Sequence, residues 1–123
     1  MEFEIDTGNF VKGIFEHNWD DVFIFDSLNS KNYTYKEFFE LILKIKNGLE
    51  KDELKQGDTI CTILPNSIEL VGLYFAALLL QLTIVSIDPN HGIDVIKQMC
   101  SIKKCKKYFG HNLDLGQKLE QLS

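Results

Sequence analysis

Residues 70–87 form a run of eighteen positions without a charge, and no other feature constrains the fold as strongly. Its length sits at the lower edge of what a membrane-spanning helix needs. Its character changes midway, however. Residues 70–80 are apolar helix formers, whereas Gln81, Thr83 and Ser86 interrupt the second part, and Thr83-Ile84-Val85 is wholly β-branched. β-Branched side chains suit a pleated, half-buried surface. The run therefore reads as a buried helix leading into a buried strand, not as a span. A helix apolar nearly all round must be covered on several sides.

The flanking segments extend this alternation. Residues 9–18 read as a short helix, with Phe10, Ile14 and His17 on one apolar face. Val22-Phe23-Ile24-Phe25 reads as a buried strand ended by Asp26, and residues 32–34 as a short hairpin partner across the turn Asn29-Ser30-Lys31-Asn32. Thr34 and Glu37 match a capping box, in which each side chain satisfies the other's backbone amide. The helix they open carries Phe38, Ile42, Ile45 and Leu49 as its inner stripe and Glu40 and Lys44 as an outer i,i+4 pair. A turn at Lys55-Gln56-Gly57-Asp58 leads to a strand over residues 59–64. Pro65-Asn66-Ser67 stops that strand and caps the next helix, in which Gly72 marks a close approach by another element. The next strand runs over residues 83–87 and closes at Asp88-Pro89-Asn90. Residues 92–104 form an amphipathic helix with Ile93, Ile96 and Cys100 inward, residues 107–109 a last short strand, and residues 111–123 a loosely ordered tail. Strands that alternate with helices and read as continuous apolar runs indicate an α/β fold. It is expected to be a partial, doubly wound, mostly parallel sheet with helices on both faces.

Composition narrows the function classes. A chain of 123 residues suits one domain or a piece of one. A net charge of −5 argues against nucleic-acid binding, which needs clustered cations. Lys103, Lys104, Lys106 and Lys107 are the local exception. They read as a solvated helix end before phosphate or anionic lipid is considered. The start, Met1-Glu2-Phe3-Glu4-Ile5-Asp6, lacks the basic and apolar regions of a secretory signal. Three unevenly spaced cysteines do not make a disulfide framework, and a reducing cytoplasm is the expected location.

Three ordered motifs carry a resemblance. Asn32-Tyr33-Thr34-Tyr35-Lys36-Glu37-Phe38 is followed by Gly57-Asp58-Thr59-Ile60 with Leu64-Pro65-Asn66-Ser67-Ile68-Glu69, and then by residues 79–89 running into Asp88-Pro89. Together, over residues 9–109, they resemble the N-terminal portion of the AMP-forming adenylate ligases, the superfamily of acyl-CoA synthetases, peptide-synthetase adenylation domains and luciferases. Residues 1–123 are then expected to be a single N-terminal subdomain of such an enzyme. Two positions depart from the family pattern: Leu82 stands where a helix-ending glycine is usual, so an altered C-cap is expected, and Ser86 replaces a commoner proline.

The resemblance implies ATP-dependent activation of a carboxylate as an acyl-adenylate, with ATP and Mg as cofactors of the full-length parent. The motifs in this chain are structural in that family. The phosphate loop ending in Lys, the acidic ribose contact and the late catalytic Lys have no counterpart here. No catalytic, cofactor-binding or metal residue is therefore assigned, and this chain alone is expected to be inactive.

Other chemistry is weighed against plain structural roles. Cys100, Cys105, His91 and His111 are the nearest approach to a metal set, but the five-residue spacing of the cysteines does not suit zinc. Buried core cysteine is the favoured reading there and at Cys61. Asp88 follows a parallel strand, where open α/β sheets hold ligands, yet capping its own turn suffices. A phosphoacceptor receiver domain would want an acidic pair after the first strand, and Asp20-Asp21 precede it. His17, His91 and His111 have no triad partner in the pattern. Two expectations stay open: a piece of a ligase, or a free-standing α/β binding or interaction module. A truncated piece is expected to leave apolar surface too large for the chain to wrap, and so to meet a partner, the remainder of the parent or a second copy, whereas a self-contained module is expected to cover its apolar faces.

Overall fold

The computed structural model describes residues 7–102 and 104–110. The opening residues 1–6, Lys103 and the segment 111–123, expected as a loose tail, lie outside the described residues. The order is α1 (Thr7–His17), β1 (Val22–Asp26), β2 (Lys31–Thr34), α2 (Tyr35–Lys51), β3 (Thr59–Ile63), α3 (Ile68–Leu80), β4 (Thr83–Ser86), α4 (Ile93–Ile102) and β5 (Lys107–Gly110). From α2 onward this is the expected alternation.

β3 is the centre of a three-stranded parallel sheet ordered β4-β3-β5, with Cys61 opposite Val85 on one side and Tyr108 on the other. All five of its residues are buried, as a strand covered on both faces requires. Its side chains alternate between two cores. Ile60 packs in the cluster that holds α2 and α3, while Cys61 and Ile63 pack with Ile87, Ile96 and Cys100 under α4. The crossover through α3 moves to one side of β3 and the crossover through α4 returns past it. Connections of one hand that run in opposite directions put their helices on opposite faces, so the sheet is doubly wound.

The capping box forms as read. Thr34 Oγ1 accepts from the Glu37 amide and Glu37 Oε1 from the Thr34 amide, both at 3.1 Å. α2 buries Phe38, Phe39, Ile42 and Leu49. Its outer ion pair is Lys46–Glu50 at 2.9 Å, not the expected Glu40–Lys44. α3 lies between α2 and the sheet, which accounts for its lack of a polar face. A Cβ on Gly72 would sit 2.8 Å from Ile45 Cδ1, so the glycine does mark a close helix–helix approach. Leu70 and Leu73 are buried, and the apolar residues of α3 left exposed narrow to Tyr74 and Leu78.

Three expectations are corrected. The inner face of α1 is Val11 and Phe15, not Phe10 and Ile14, which are 61% and 45% exposed, and His17 is exposed with them. Both pairs have i,i+4 spacing, and only the packing partners distinguish them. Phe15 meets five aromatic rings: Phe23, Tyr35, Phe38, Phe39 and Phe75. β1 is not a fully buried strand. It pairs antiparallel with β2 alone, and Val22 and Phe25 face solvent because nothing described covers the ribbon's outer side. Ile93 is only half-buried; Ile96 and Cys100 are the buried residues that hold α4.

The altered end of α3 falls one residue earlier than expected. Gln81, not Leu82, takes the left-handed conformation, with φ 57°. The Leu82 amide reaches Ala77 O at 2.9 Å and the Gln81 amide reaches Leu78 O at 3.2 Å, which is a Schellman ending with glutamine in the glycine position.

Candidate functional site

The carboxyl ends of β3 and β4 open into a cleft of about 330 Å³. Proline makes this end of the sheet: Pro65 and Pro89 carry no amide to continue a ladder. The Ile87 amide still donates to Thr62 O at 2.8 Å, after which the two chains diverge. Leu64-Pro65-Asn66 forms one wall, residues 86–90 form the other, and Leu70 contributes from α3. Ser67 caps α3 by accepting from the Leu70 amide at 3.2 Å, which fixes where Asn66 stands.

Ser86 is the hub of the polar wall. Thr62 Oγ1 donates to Ser86 Oγ at 3.1 Å, and Tyr74 Oη meets Ser86 Oγ at 2.6 Å. A proline at this position would make neither bond, so the departure at Ser86 has a structural use. Asp88 Oδ1 accepts from the Asn90 amide at 2.9 Å and Asp88 O from the His91 amide at 3.2 Å. It closes its own turn, as the structural reading had it. Chemically, the described lining offers two neutral amides, a hydroxyl and the single carboxylate of Asp88, with no Lys, Arg or His. That set can orient a polar group and cannot offset a phosphate's charge.

A second groove of about 200 Å³ adjoins the first through Asn66. It lies between the β1–β2 turn, with Phe25 and Leu28, and the start of α3, with Ile68 and Val71. Leu28 is 80% exposed beside it.

The other candidates separate. Cys100 and Cys105 join Cys61 in one buried cluster, and Cys61 Sγ lies 3.9 Å from Cys100 Sγ. Sequence spacing could not show this, because Cys61 comes from β3 and the other two from beyond β4. His91 stays on the surface, and His111 is outside the described residues. Among the described residues no three His, Cys, Asp or Glu side chains are placed to hold a metal ion. The lysine cluster is not simply a solvated helix end. Lys106 Nζ donates to Glu53 O at 2.9 Å and to Asp58 Oδ2 at 3.1 Å, and Lys107 Nζ pairs with the Asp52 carboxylate. Among the described residues no helix is long and apolar enough to cross a membrane.

Comparison with known proteins agrees with this geometry. Among curated relatives, the chain is 37% identical over 65 residues to Malpibaldin synthetase of Mortierella alpina, a match over 53% of this chain and 1% of that protein. It is 32% identical over 75 residues to probable 4-coumarate–CoA ligase 1 of Dictyostelium discoideum, covering 61% of this chain and 14% of that one. The crystal structure of VinN superposes with a TM-score of 0.84 at 12% identity, over 100% of this chain and 31% of VinN, a likeness of fold. The chain thus spans only a small part of the relatives it matches. The model of the AMP-binding enzyme family matches residues 15–122, and the chain belongs to that family.

Proposed function

We propose that this chain is the N-terminal subdomain of an acyl-adenylate-forming ligase of the acyl-CoA synthetase-like kind, and that it is inactive by itself. The observation that carries the reading is the family match over residues 15–122, which spans the whole alternating part of the chain. The proposed role of the piece is architectural: a doubly wound wedge whose strand-end cleft faces the remainder of a longer ligase. Its proposed location is the cytoplasm.

ATP and Mg belong to the proposed full-length enzyme, and the residues present here do not fit them. The cleft lining has no cation to meet a triphosphate. Its lone carboxylate, Asp88, already accepts from the Asn90 amide. No catalytic step is therefore assigned to this chain.

The reading is tested by calorimetric titration of the chain with ATP and by an ATP–pyrophosphate exchange assay, each run beside a polypeptide extended to the length of the relatives. The extended protein is expected to exchange pyrophosphate and the short chain neither to exchange nor to bind. ATP binding by the short chain tighter than about 100 µM, roughly −5.5 kcal/mol, overturns its inactivity.

A second reading is a free-standing interaction module; the exposed Phe25 and Leu28 beside the second groove speak against it, because a self-contained module covers its apolar faces. Light scattering across a concentration series separates the two. Self-association, or capture of the remaining ligase segments added in trans, supports incomplete wrapping. A sharp monomer that binds no hydrophobic dye supports the module.

A further inference from the structure

The buried sulfur cluster has no part in the ligase reading. Cys61 lies at the middle of the central strand and is fully buried; Cys100 lies on α4 and is 5% exposed. Their sulfurs are 3.9 Å apart, in contact and not bonded. A disulfide would bring them about 2 Å closer, a movement within reach of a side-chain rotation and a small helix shift.

We propose that Cys61 and Cys100 are a redox latch, closed by peroxide, that staples α4 to the central strand. Three observations support it. First, the two thiols belong to different elements, so the bond would tie a helix to the sheet. Second, α4 is a ten-residue helix held to the sheet by buried Ile96 and Cys100 and by the half-buried Met99, with Val95 on its exposed side. A short peripheral helix with so small an apolar hold opens locally before the sheet does. Third, Ile87 packs in the same cluster and also lines the strand-end cleft, so the latch would hold one wall of that cleft.

Burial sets the gate. Desolvation, with the Cys100 sulfur alongside, pushes the Cys61 thiol far up, and burial also raises that of Cys100. Both are protonated and unreactive while α4 is seated. When α4 lifts, Cys100 is hydrated first and ionises. Its thiolate attacks one oxygen of hydrogen peroxide; the O–O bond breaks, a sulfenic acid forms, and the departing hydroxide takes a proton to become water. Before burial is restored, the Cys61 thiol, opened to water with α4 lifted, gives up its proton, and its thiolate attacks the sulfenyl sulfur. The S–S bond forms, the S–O bond breaks, and hydroxide leaves and takes up the proton that Cys61 gave up, as a second water. Two thiols and one peroxide thus give one disulfide and two waters.

The test is to treat the purified, reduced chain with hydrogen peroxide under native conditions, block the remaining thiols by alkylation, and map the peptides by mass spectrometry. The expected result is loss of two hydrogens and a Cys61–Cys100 cross-linked peptide. Thermal unfolding should move up by about 10 °C and return on reduction with dithiothreitol. Cys105→Ser should leave the cross-link intact and Cys100→Ser should abolish it. Should either variant fold poorly, the wild-type peptide map alone decides. Three fully alkylated cysteines, sulfinic acid without a cross-link, or a cross-link through Cys105 overturns the proposal.

Discussion

The Gln81 carbonyl accepts from the Gly57 amide at 3.0 Å, and both residues have positive φ, 57° and 88°. The left-handed end of α3 is thereby tied to the left-handed turn before β3. At Gly57 the geometry suits the residue; at Gln81 it does not. Gln81→Gly is expected to stabilise the chain by roughly 0.5–1 kcal/mol, the relief of the left-handed strain less the added entropy of the unfolded chain. Gly57→Ala has open space around its new Cβ and should still cost about 1–2 kcal/mol, wholly through φ. Urea titration of both variants gives the two signs.

The register of α1 is tested by a pair of substitutions. Phe15→Ala empties the centre of the aromatic cluster and should cost about 3–5 kcal/mol. Phe10→Ala lies on the exposed face and should change stability by no more than about 0.5 kcal/mol. Equal losses would mean that α1 is rotated from the position described.

The contact between α2 and α3 at Gly72 should tolerate one carbon and resist three. The atom met by an added Cβ is the tip of Ile45, which can move, and alanine gains about 1 kcal/mol of helix propensity. Gly72→Ala is therefore expected near neutral. Gly72→Val presses on Leu41 as well and should cost about 1–3 kcal/mol. Thermal melts at matched concentration distinguish them.

Acid should loosen the joint between the α2–β3 loop and β5. The Lys55 amide and then the Lys106 ammonium lower the pKa of Asp58 below its ordinary value. A carboxyl depressed in the folded state contributes stability above its unfolded pKa and loses it as pH falls through the folded value. Stability should therefore decline on the acid side of about pH 5, and Asp58→Asn should flatten that decline. High salt should weaken the Lys106 contribution, because the pair is partly exposed. Chemical denaturation at a series of pH values measures both effects.

Much of this protein was decided by local sequence. The capping box at Thr34 and Glu37, the Ser67 cap and the prolines after β3 and β4 act within four residues, so their physics is complete before the chain folds. The alternation of helix and apolar strand likewise implied a parallel sheet with two covered faces, because only such a sheet buries strands on both sides. The three family motifs were legible for the same reason: each is a turn or a cap. What the sequence left open was settled by contacts between distant segments. Phe10 and Val11 each head an i,i+4 pair, and only the rings of Phe23, Phe38 and Phe75 chose Phe15's face. Whether β1 was buried depended on what lay beyond it, which periodicity does not encode. Gln81 became left-handed because Gly57 and Asp58 hold the strand that follows in place, the latter through the Thr83 amide. The strand-end cleft and the Cys61–Cys100 contact exist only because α3 and α4 cross opposite faces of one strand. Each joins residues far apart in sequence, and no local pattern can carry the distance between them.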